Sequence, residues 1–112
     1  ADTFRKLAIS FPGVEELPHF DKTSFRLNKK IFATMNEKEN RATVKLPAND
    51  QYVFCLNDKS MIYPVPNKWG LQGWTNIDLT KVNKRLLTQI LKSSYNENFW
   101  LIYPICCFTN SD

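Results

Sequence analysis

Residues 24 to 46 hold three short segments, SFRLN, KIFATMN and RATVKL, in which apolar and polar side chains alternate. A period of two is the mark of strands that bury one face, because successive side chains leave a strand on opposite sides. The connections between the segments are Asn28-Lys29 and the polar tetrad Glu37 to Asn40. Both are too short for anything but hairpins. The stretch therefore predicts a three-stranded antiparallel meander with one face in need of cover. Alternation puts Phe25 and Leu27, then Ile31, Ala33 and Met35, then Ala42, Val44 and Leu46 on the covered side. Arg26, Thr34, Thr43 and Lys45 fall on the other side, a polar face with a basic tint.

The flanking segments supply the cover. Phe4, Leu7, Ala8 and Phe11 form one helical stripe, with Asp2 or Thr3 as N-cap and Pro12-Gly13 as the stop. A polar connector is expected between that helix and the meander. Pro47 suits the first turn of a short helix in which Tyr52, Val53, Cys55 and Leu56 recur at helix-like intervals. SMIYPVP then reads as a brief strand, NKWGLQGW as a loop, WTNIDL as a strand, and Thr80 as the cap of a final helix with Val82, Leu86, Leu87, Ile90 and Leu91 inward. The order α-β-β-β-α-β-β-α, without a regular β-α-β crossover, predicts an α+β fold of two layers, an antiparallel sheet with helices on one face.

Composition sets the functional bounds. With 112 residues, 43% hydrophobic and only three glycines, the chain is expected to form one packed domain without a linker. A net charge of +4 favours an anionic partner. Cys55, Cys106 and Cys107 with a single histidine cannot supply a disulfide framework or a Cys/His zinc site, so no metal and no cofactor are expected. No charged-then-apolar leader and no apolar run of about 20 residues is visible, so a cytoplasmic, reducing setting without membrane insertion is expected. Gly13, Gly70 and Gly73 match neither the phosphate-loop nor the dinucleotide-binding spacing.

Several residues are candidates for a binding surface. Arg26, Lys29, Lys30, Lys38, Arg41, Lys45 and Lys68, mostly at or beside hairpin tips, could line up against phosphates. Trp69 and Trp74 bracket Gly70 and Gly73, which lets the backbone turn sharply and approach other atoms closely. Trp74, at the start of a strand, is expected to pack as a clasp, and Trp69 either to join that clasp or to stay exposed and stack on a base or ligand ring. His19 is expected to be structural, with its ring hydrogen-bonded under the Phe20 corner, rather than part of an acid/base unit with Glu15, Glu16 or Asp21 or a dyad with Cys55. No catalytic constellation survives this inventory, and no enzymatic activity is expected.

FPGVEELPHF, SFRLNKKIFATMN, VKLP and NKWGLQGWTNIDL, taken in order, resemble the MmcQ/YjbR family of small bacterial proteins over about residues 4 to 95. The resemblance implies a secretion-chaperone-like or frataxin-like two-layer fold. It also implies two projecting loops of the double-wing kind, the basis on which members are labelled DNA-binding. Residues 1–98 are accordingly expected to form the family domain, and 99–112 an apolar C-terminal extension outside the family pattern. That extension is read as an edge strand or flap, or else as a homodimer contact. The expected function is non-enzymatic binding of nucleic acid, DNA first, through the basic hairpins and the tryptophan loop. The alternative is a protein-interaction or chaperone-like adaptor using the sheet surface and the apolar terminus.

Overall fold

The meander is present with its hairpins where alternation puts them. The computed structural model describes residues 2–66 and 68–102, with side chains over 3–66 and 68–96. Strands β1 (Val14–His19), β2 (Lys22–Leu27), β3 (Lys30–Asn36), β4 (Arg41–Lys45), β5 (Ile62–Pro64) and β6 (Trp74–Asp78) form one sheet. Their spatial order is β1-β2-β3-β4-β6-β5, and every neighbouring pair is antiparallel. Helices α1 (Asp2–Ser10), α2 (Ala48–Cys55), α3 (Lys68–Leu71) and α4 (Lys84–Ile102) are the other elements of the described residues. The fold is α+β with an antiparallel sheet, as expected, but the order is α-β-β-β-β-α-β-α-β-α.

Two elements account for the longer order. The expected polar connector is strand β1, which has no fully buried residue and lies at the sheet's edge with one side bonded to β2. An edge strand needs little apolar content, and Pro18 is tolerated there because its missing N–H can face away from the ladder. The expected tryptophan loop contains a single helical turn, α3. It fits because Gly70 has no Cβ: one built there would stand 2.0 Å from the Val65 carbonyl oxygen.

Packing on the covered face follows the predicted stripes. Phe4 and Ala8 of α1, Phe25, Ala33, Met35, Ala42 and Val44 of the meander, and Leu87, Ile90 and Leu91 of α4 are buried together. Phe4 meets Phe25 edge-on at 5.5 Å, and Phe11 stacks on Tyr95 at 4.8 Å. The Tyr95 hydroxyl donates to the Pro12 carbonyl at 2.6 Å, which ties the end of α1 to α4. Asn83, not Thr80, caps α4, accepting from the Leu86 amide at 2.8 Å. Thr80 is instead bound to Asp78, whose carboxylate accepts from its hydroxyl and its amide.

Three further expectations change. Pairing slips by one residue opposite Phe25 and Arg26, a bulge that buries both Phe32 and Ala33 and turns Ile31 to the open face. Alternation alone had grouped Ile31 with Ala33. Helix α2 buries no residue: Tyr52, Val53 and Leu56 are exposed, while Cys55 is half-buried against the core. Helix α4 runs on to Ile102, so Phe99 to Ile102 continue the helix and form no edge strand. The remainder of the apolar extension lies outside the described residues.

Candidate functional site

Strand registers order the side chains of the open face into rows. One row runs Glu15, Arg26 and Ile31 across β1, β2 and β3, and Lys45 and Trp74 face each other on the same side across β4 and β6. The next runs Leu17, Ser24, Thr34, Thr43, Asn76 and Tyr63. This second row is hydrogen-bonded within itself. The Thr43 hydroxyl donates to Asn76 Oδ1 at 2.7 Å, and the buried Ser24 hydroxyl donates to the Leu17 carbonyl at 2.8 Å while accepting from Arg26 Nε at 3.1 Å. Such bonds satisfy the polar floor and hold its orientation.

A groove of about 410 Å³ crosses this face, lined by His19, Lys22, Ile31, Thr34, Thr43, Val65, Trp69 and Trp74. Its volume falls at the small end of sites for organic ligands, which span about 300 to 1,000 Å³. Hydroxyls floor it, indoles wall one end, and a histidine and a lysine stand at the other. A cleft of about 190 Å³ beside Thr3, Phe4 and Lys84 is smaller and borders the core.

The tryptophan end is built by the glycines. Gly73 has φ +104°, and a Cβ there would stand 2.1 Å from the Leu46 carbonyl oxygen. Backbone bonds from Leu46 N to Gly73 O and from Val65 N to Trp74 O pin the segment to its neighbours. Gln51 of α2 reaches in, its Nε2 donating to the Gly70 carbonyl and to Thr75 Oγ1, each at 3.0 Å. Trp74 is half-buried, and Trp69 retains 51% of its exposure. The segment is pinned through its backbone, and both indoles line the groove.

The expected basic ridge is divided by the topology. Arg26 is paired with Ile31 and Lys45 with Trp74, both of the groove lining, and Lys68 begins α3 beside Trp69. Lys29 and Lys30 sit at the β2–β3 turn, at the same end of the sheet as Lys45 and Trp74. There Asn28 and Lys29 both take positive φ, 53° and 70°. Lys38 and Arg41 lie at the β3–β4 turn, at the opposite end, where Arg41 is paired with Glu39 at 2.5 Å.

Sequence reasoning missed Phe20. It forms the β1–β2 turn with Asp21, is 93% exposed and takes φ +59°. Its ring meets that of His19 edge-on at 4.8 Å. The legible signal was a two-residue turn without glycine, visible only once VEELPH is read as a strand.

Other chemistry is dispersed. Glu16 is bound by Arg5 Nε at 2.7 Å on the covered side, while Glu15 lies opposite Arg26 on the open side. Cys55 packs toward the core, where burial raises its thiol pKa, and the sheet separates it from His19. Among the described residues no three His, Cys, Asp or Glu side chains stand together as a metal site, and no helix is long and apolar enough to cross a membrane.

Comparison with known proteins places the geometry in context. The YjbR family model matches residues 9–97. The crystal structure of the Deinococcus radiodurans protein DR2400, which carries the DUF419 domain, superposes with a TM-score of 0.75 at 19% identity, over 88% of this chain and 77% of that one. At that identity the likeness concerns the fold. No curated protein sequence matches the chain.

Proposed function

Because this chain belongs to the YjbR family, we propose that it is a non-enzymatic binding protein whose open sheet face takes nucleic acid. The observation that carries the reading is the juxtaposition of Lys22, Arg26, Lys45 and Lys68 with a groove walled by Trp69 and Trp74. Cations hold phosphates without regard to sequence, and indoles accept any base on their faces. DNA is the first candidate, with Lys29 and Lys30 extending the phosphate track past the edge of the groove. The test is a titration of labelled DNA at several salt concentrations. A log-log slope of roughly −3 to −5 is expected, and Lys29→Glu with Lys30→Glu lowers affinity about tenfold or more while leaving Tm in place. Equal affinity of that variant and the parent would remove the hairpin from the interface, and no binding at low salt would remove the reading.

A second reading, a protein-interaction adaptor, is favoured by α2. Tyr52, Val53 and Leu56 project from it exposed, and Leu71 of α3 is 89% exposed. Sedimentation at rising concentration separates the two: Tyr52→Lys with Leu56→Lys abolishes any self-association on the adaptor reading and leaves DNA affinity unchanged on the first.

A further inference from the structure

Two-residue hairpins whose first central residue alone has positive φ follow the φ order of a II′ turn, where glycine is the default. The β1–β2 turn has this order: Phe20 has φ +59° and Asp21 is not in the positive region. A side chain there costs on the order of 1–2 kcal/mol against the preceding carbonyl. Burial does not repay it, since Phe20 is 93% exposed. Neither the turn nor the core explains a phenylalanine at this position.

What the ring does have is a place beside the groove. His19, in edge contact with Phe20, lines one end of the groove, and Trp69 and Trp74 line it with Val65 toward the other. Aromatic surfaces therefore stand at both ends of a floor of Thr34 and Thr43, with Lys22 lining it and Arg26 and Lys45 paired with the lining residues Ile31 and Trp74. Asp21 stands at the same tip, Glu37 and Glu39 lie at the β3–β4 turn at the same end of the sheet, Glu39 paired with Arg41, and Glu15 lies opposite Arg26. Separated flat apolar stations joined by a cationic, hydroxylated floor match a chain of planar rings linked by anions. A duplex hides those rings in its stack, whereas a single strand can present them one by one.

We infer that the open face binds single-stranded nucleic acid, with unstacked bases against Trp69 and Trp74 at one end of the groove and against Phe20 at the other. This rests on the nucleic-acid reading above. On this account the strained tip is retained because its ring is a base-stacking station, as backbone strain often is where a side chain must be aimed.

Fluorescence anisotropy of the intact chain tests it with three labelled probes of equal length: a twelve-residue oligothymidine, an abasic strand with the same phosphates, and a duplex. The expected order is oligothymidine tightest, with the other two at least about tenfold weaker. Phe20→Gly and Trp69→Ala each lose about 5- to 150-fold for oligothymidine, the range known for one base stack, with the salt slope unchanged. Phe20→Trp and Trp69→Phe retain most of the affinity. Phe20→Gly also leaves Tm unchanged or raises it by up to about 4 °C, which separates lost stacking from lost folding. Abasic strand binding as tightly as oligothymidine, or Phe20→Gly binding like the parent, overturns the stacking stations while nucleic-acid binding stands. A duplex preferred over both strands does the same. Failure of all three probes at low salt, with binding to anionic phosphatidylglycerol vesicles instead, defeats the nucleic-acid reading itself.

Discussion

The two faces of the sheet are made by the same strands and obey opposite rules. On the covered face Phe25, Phe32, Met35 and Val44 are essentially without exposure, and each is held by neighbours from α1 or α4 or from the next strand. On the open face the floor is polar, Trp69 and Trp74 are left partly in water, and Phe20 stands clear of the body in a costly conformation. The contrast separates two uses of aromatic rings. Those on the covered side stabilise the fold by leaving water, and those on the open side remain partly or largely exposed to it.

This contrast can be broken most forcefully from the covered side. Phe32→Ala empties a fully buried site at the bulge and is expected to lower stability by about 3 to 5 kcal/mol in a urea titration. Its folded fraction should bind DNA with the parent's salt slope. Gly73→Ala attacks the seam between the faces. It places a methyl group against the Leu46 carbonyl at a positive φ, and about 2 to 4 kcal/mol of destabilisation is expected. Refolded Gly73→Ala should also show weaker binding, because the segment carrying Trp69 and Trp74 is displaced. Phe20→Gly sharpens the contrast with the opposite sign: binding falls while stability holds or rises by up to about 1 kcal/mol.

The smallest expected effect concerns acid. The Ser60 hydroxyl and amide hold the Asp58 carboxyl below the usual carboxylate range, and those of Thr80 do the same for Asp78. A lowered folded pKa means that the unfolded chain takes up the proton first. The stabilisation is therefore complete above the unfolded pKa, near 3.9, and is lost as pH falls through the folded value. Asp58→Asn with Asp78→Asn should flatten the acid limb of a Tm-against-pH curve below about pH 4 and leave the neutral region nearly unchanged. A steeper acid limb in that variant would contradict the assignment.

Legibility differed between elements for identifiable reasons. The β2–β3 turn was readable because Asn28 accepts a positive φ and the alternation on either side of it is strong. Strand β1 was not, since its VEELPH segment is half solvated and its pairing with β2 stabilises it more than its composition does. Of the candidate site, Trp69, Arg26, Lys45 and Lys68 could be chosen from sequence, whereas Phe20 and the groove-facing role of His19 could not. Helix α2 misled in the other direction: apolar residues at helical spacing suggested burial, and the structure leaves Tyr52, Val53 and Leu56 in water.

Local periodicity by itself determined the antiparallel meander, the flanking helices and the two-sided character of the sheet, because each depends on residues a few positions apart. Tertiary structure alone decided that a bulge turns Ile31 outward and buries Phe32, that β1 joins the edge, and that His19 comes to share a groove with Trp69 and Trp74. Those outcomes depend on contacts between segments remote in the chain, and the period of a strand carries no information about which distant strand will lie beside it.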